Sequence, residues 1–164
     1  MLTNKNLPDL YDLSHSNIGF DIGGVICPHD NNTENKLPSP NTHIVDLMRH
    51  LVENKNELFI ISFLGKNKVQ EQLAWLYDHQ IVPSLVPLTN VYLHGDDKRA
   101  KFAIAKHLNL HHFIDDSTDV IDMMRTGRSK DDNKFLKKLK GLSGQIGSMA
   151  KIFKVNTELE YIIR

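Results

Sequence analysis

The chain has 164 residues, 40% of them hydrophobic and 24% charged, which fits one globular domain whose core needs neither disulfides nor a structural metal. Lys plus Arg and Asp plus Glu both number 20, so global charge gives no argument for a nucleic-acid partner or an anionic membrane. Cys27 is the single cysteine, which excludes an intrachain disulfide; with no secretory signal and no apolar run of bilayer length, no membrane is expected and the expected location is cytoplasmic.

Residues 1–16 are polar and punctuated by Pro8, and read as a loose N-terminal arm with room for one helical turn, ahead of a single domain over 17–164. Asn17 to Phe20 reads as a short strand that ends at Asp21, directly before Ile22-Gly23-Gly24. A carboxylate at a strand end costs solvation unless something pairs with it. Glycines beyond it allow positive φ and a close approach to the main chain. Cys27 to Pro40 is rich in Asn and Pro and is expected to be a surface loop. Asn41 then caps a helix in which Ile44, Leu47, Met48, Leu51 and Val52 recur at helical spacing.

Glu57 to Ser62 is a continuous apolar run ending in a hydroxyl, as in a strand buried on both faces of a parallel sheet. A helix over about 67–79 carries Val69, Leu73, Trp75 and Leu76. Ile81 to Tyr92 reads as two extended pieces broken by Pro83 and Pro87. A helix over about 97–108 leads to a strand over His112-Phe-Ile-Asp-Asp116, and Val120 to Arg125 begins another helix. Residues 127–147 are polar and basic, Lys151 to Val155 reads as a last strand, and Thr157 to Ile163 as a closing helix. Alternating strands and helices predict an α/β fold, a doubly wound parallel sheet with ligands at the carboxyl ends of its strands. Asp21, Ser62, Asp115 and Asp116 all fall at such ends.

Four features in this order resemble the haloacid dehalogenase-like superfamily, whose members are mostly magnesium-dependent phosphatases. They are Asp21 in a Gly-rich turn, Ser62 ending an apolar strand, Lys101 one helix upstream, and the pair Asp115-Asp116. The stretch from Lys101 to Asp116 is similar in spacing to the family's lysine-to-acidic-pair segment, and the resemblance covers roughly residues 17–160. It implies a Rossmann-like core and a phosphomonoesterase acting through an aspartyl-phosphate on Asp21. It implies Mg²⁺ held by Asp21, Asp115, Asp116 and the backbone carbonyl of Gly23. Ser62, Lys101 and Gly24 would bind phosphate, with Lys101 neutralising developing charge. No segment has the size of a cap domain, which implies an open site with room for a phosphorylated substrate as large as a macromolecule.

The sequence departs from the family pattern at Gly23, where most of its phosphatases carry a general acid/base Asp. That opens a second reading, a catalytically weak or inactive binding module. His29 on the next loop is a candidate proton carrier instead. A dehalogenase would also lack the second Asp, but such enzymes use no metal, and Asp115-Asp116 argues for one.

Each residue also has a plainer reading. Asp21 could hold a turn, Ser62 could be a strand-ending turn residue, and Asp115-Asp116 could cap the following helix. Lys98, Arg99 and Lys106 compete with Lys101. His94, His107, His111 and His112 lack the pattern of a zinc site. Cys27 reads as a small buried hydrophobe, and the basic stretch 134–140 as a solvated amphipathic helix.

Overall fold

A computed structural model describes residues 10–29, 37–94 and 98–126. Four strands and four helices alternate through this part of the chain: β1 (Asn17–Phe20), α1 (Thr42–Glu53), β2 (Glu57–Leu64), α2 (Val69–Asp78), β3 (Val91–His94), α3 (Lys98–His107), β4 (His112–Ile114) and α4 (Thr118–Thr126). The strands form one all-parallel sheet in the order β3-β2-β1-β4. The chain therefore steps from β1 outward to β2 and β3, then returns to the far side of β1. The order reverses between β1 and β4, and in open parallel sheets a crevice forms beyond the strand ends at such a point.

Packing follows the two-residue period of a strand. Leu58 and Ile60 of β2 join a core cluster with Ile44, Leu47, Met48 and Leu51 of α1 and with Trp75 and Leu76 of α2. Phe59 and Ile61 join a second cluster with Phe102 and Ala105 of α3 and Val120, Met123 and Met124 of α4. Both faces of β2 are thus packed, which is why its sequence is apolar without alternation.

The described ends of α1, α2 and α3 are built without glycine. Lys55, Gln80 and Asn109 follow α1, α2 and α3 with φ of 66°, 58° and 52°. Each lies in a Schellman arrangement, in which Asn56 N–H donates to Leu51 O, Ile81 N–H to Leu76 O and Leu110 N–H to Ala105 O. The apolar residue after two of these turns, Ile81 and Leu110, is buried and holds the turn against the core.

Several sequence expectations shift. The arm carries the helical turn expected of it, at Leu10–Asp12, but packed and not loose: Leu10 is fully buried, and His50 of α1 and Asn54 just after it bond to Tyr11 O. Strand β2 runs on past Ser62 to Leu64, with an irregular register against β3 between Ile61 and Leu64. The stretch read as broken extended pieces supplies a true strand, β3, which extends to His94. The last strand and closing helix expected over 151–163 lie outside the described residues, as does the basic stretch 134–140. No described helix is long and apolar enough to cross a membrane.

Candidate functional site

Asp21 leaves the end of β1 with its backbone still tied to the sheet, its N–H donating to Ile114 O at 2.9 Å. That bond extends the β1–β4 pairing by one residue and fixes the carboxylate beside the end of β4. Asp115 and Asp116 follow β4 directly, and Asp115 Oδ1 accepts from Ser117 N–H at 2.8 Å. Ligand oxygens from Asp21, Asp115 and Asp116 lie within 4.8 Å of one another.

Lys101 reaches this cluster from α3. Its Nζ lies 3.0 Å from Asp21 Oδ1 and 2.8 Å from Asp115 Oδ2, with all three side chains at least nine-tenths buried. The ammonium also lies 5.9 Å from the centre of the Phe113 ring, which packs beneath it. Lysine is buried to this degree only when paired. The lysine at this centre is therefore Lys101, while Lys106 is less buried on the same helix.

The Asp115 carboxyl is pushed above its ordinary range by burial and then by the charge of Asp21, against the opposing pull of Lys101 and the Ser117 amide. Three carboxylates against one ammonium leave two negative charges in excess when His29 is neutral. Two excess charges, oxygen-only donors and an exposed Asp116 are what a hard divalent cation such as Mg²⁺ requires: one or two carboxylates plus room for water. The residues fit that ion.

The glycine pair divides in role. Gly24 has φ of +74°, and a Cβ there would run into Asp116 and His29, so the turn demands glycine. Gly23 has no such constraint: a Cβ would meet only His29 Cε1, at 3.9 Å. The fold leaves room for a side chain at position 23, so backbone geometry does not demand glycine there. His29 stands over this turn, its Nε2 2.7 Å from Asp116 Oδ2 and its side chain 74% exposed.

Asp21, Gly23, Ser62, Lys101, Asp115 and Asp116 line one cavity of about 820 Å³. Small-molecule sites typically fall between about 300 and 1,000 Å³. Ser62 is 4% exposed, and it enters the wall from within β2, at the register irregularity, not from the strand's end. Every residue singled out for catalysis or metal binding is therefore gathered here. Cys27 also lines the cavity, but burial pushes its thiol pKa up, which disfavours the nucleophilic thiolate.

Sequence reasoning missed Gln72. It lies on the buried side of α2, 6% exposed, and its amide Nε2 has no hydrogen-bond partner among the described residues. The signal was present, since Gln72 falls three residues after Val69 and four before Leu76, on the apolar stripe itself. No protein-family model matches the chain, and no curated protein matches it.

Proposed function

We propose that the chain is a Mg²⁺-dependent phosphohydrolase with a doubly wound, capless core of the haloacid dehalogenase-like type. The observation that carries this reading is the double contact of Lys101 Nζ with Asp21 and Asp115 inside a cluster of three carboxylates. A structural lysine needs one partner; this one holds two acids together at the point where the sheet order reverses.

In the first step Asp21 attacks phosphorus through a carboxylate oxygen, the P–O bond to the leaving group breaks, and a proton goes to the departing oxygen. In the second, water attacks phosphorus and gives a proton back to the group that donated one in the first step, the bond to Asp21 breaks, and phosphate leaves with the carboxylate regenerated. Lys101 and the Ser62 hydroxyl stabilise charge on the equatorial oxygens. Asp21, Asp115 and Asp116 would hold Mg²⁺, which would supply the charge neutralisation that lets a phosphate approach an aspartate. Gly24 leaves room for Asp116 and His29 beside the turn, and His29, poised above Gly23, carries the proton that an Asp at 23 would otherwise carry.

The test is turnover of a panel of phosphate esters with Mg²⁺, against Asp21→Asn as control. Turnover that vanishes in the variant supports the reading, and none above the variant across the panel would overturn it. Gly23 favours a second reading, a binding module that keeps the cation and phosphate site but not the rate. Phosphate-dependent stabilisation without turnover would select it.

A further inference from the structure

Among the described residues, Gln72 Nε2 is the fully buried side-chain polar atom that has no hydrogen-bond partner, and Gln72 lines the cavity. The buried polar groups elsewhere in α1 to β3 show what the fold does with an amide it needs. Asn56 Nδ2 donates to Leu13 O and Leu51 O, and Asn90 Nδ2 donates to Leu58 O and Glu57 Oε1. Burying a donor without a partner is costly, and a turn of the Gln72 amide toward the cavity would let an acceptor bound there relieve that cost.

The surroundings of Gln72 define that acceptor's carrier. Lys68 and Glu71, on the same side of the helix start, line the cavity beside it, while Leu37, Pro38 and Leu64 supply apolar walls. The Pro38 wall is fixed, because Trp75 Nε1 of α2 donates to Pro38 O at 2.9 Å. Amide and ammonium donors next to a carboxylate acceptor, between apolar walls, match a flat heterocycle with donors and acceptors on its edge. A sugar would present hydroxyls all round and leave the apolar walls unmatched. The terminal torsion of glutamine is soft, so the amide can turn to meet an incoming group.

We propose that α2 forms the leaving-group subsite and that Gln72 recognises a nucleobase, making the substrate class nucleoside monophosphates. This rests on the phosphohydrolase reading for the chemistry but not for the recognition. It also assigns a compact substrate, in place of the macromolecular one that an open, capless site permits.

Nucleosides test it, since they carry the base and have no phosphate to be turned over. Adenosine, guanosine, cytidine and uridine are titrated into the full chain by calorimetry or ligand-observed NMR, for wild type and for Gln72→Met, with melting temperatures of both proteins measured alone. Saturable binding of at least one nucleoside by wild type is expected, weakened about tenfold or more in the variant. The variant's melting temperature should be equal or higher, because methionine fills similar volume and removes an unpaired donor. No nucleoside binding to wild type overturns the inference. So does a variant that binds as well as wild type, or one that melts several degrees lower, since Gln72 would then be structural. Turnover of simple phosphate esters without nucleoside binding sinks this inference alone; nucleoside binding without any turnover sinks the phosphohydrolase reading alone.

Discussion

The two ends of the sheet treat buried polarity in opposite ways. At the amino end, Asn56 precedes β2 and Asn90 precedes β3, both nearly fully buried. Asn56 accepts from Ser16 N–H at 3.0 Å and donates to Leu13 O and Leu51 O at 2.8 and 2.9 Å, so it staples the N-terminal turn and the end of α1 to the sheet. At the carboxyl end, Asp21, Lys101 and Asp115 are buried with unbalanced charge, and Gln72 is buried with an open donor. Polarity that serves the fold closes on itself. Polarity left over is placed around a cavity.

Adding a carboxylate to the unbalanced end should have the largest effect. Gly23→Asp has room for its side chain and restores a positioned acid/base, so the phosphatase rate is expected to rise about 10²–10⁴-fold. A rate unchanged at zero would say that the pocket no longer has phosphate geometry. Removing the cation of the same end is next. Lys101→Met leaves two like charges buried together, and urea denaturation without divalent ions should show a loss of about 3–5 kcal/mol. Mg²⁺ should restore part of that loss, whereas unchanged stability would show that the ammonium does not hold the acids.

A matched pair then contrasts the ends directly. Asn56→Ala strands buried backbone groups and should cost about 3 kcal/mol, while Gln72→Met should cost nothing. Equal losses would erase the distinction. A last effect, read only as the pH falls, is a pH dependence in β4. Burial, and then the neighbouring His111, lower the His112 pKa from 6.5 to about 4. The unfolded chain takes up that proton first, so this contribution is complete above pH 6.5 and lost as pH falls toward about 4. Denaturation midpoints across that window should fall in wild type and fall less in His112→Gln.

Much of this was legible in the chain because the signals are local. The apolar run of β2, the helical spacing in α1 and the acids after β1 and β4 report their own burial or exposure. Spacing from Lys101 to Asp115 places an ammonium one helix and one turn before an acid, and the parallel crossover brings the two together. What stayed hidden depends on partners distant in sequence. The burial of Leu10 requires α1 beneath it, and β3 needed β2 to complete it. Helix ends at Lys55, Gln80 and Asn109 were obscure because tertiary packing, not glycine, holds their positive φ. Gln72 was read past because a polar residue on an apolar stripe has meaning only once the cavity beside it is known.

The central claim is that the carboxylates at the reversal of the sheet await a divalent cation and a phosphoryl group. Beryllofluoride mimics that group on a carboxylate, and calorimetric titration with Mg²⁺ plus beryllofluoride reads its capture without requiring turnover. Saturable heat and a raised melting temperature in wild type, both lost in Asp21→Asn, are the expected result. No heat and no shift in wild type would contradict the account.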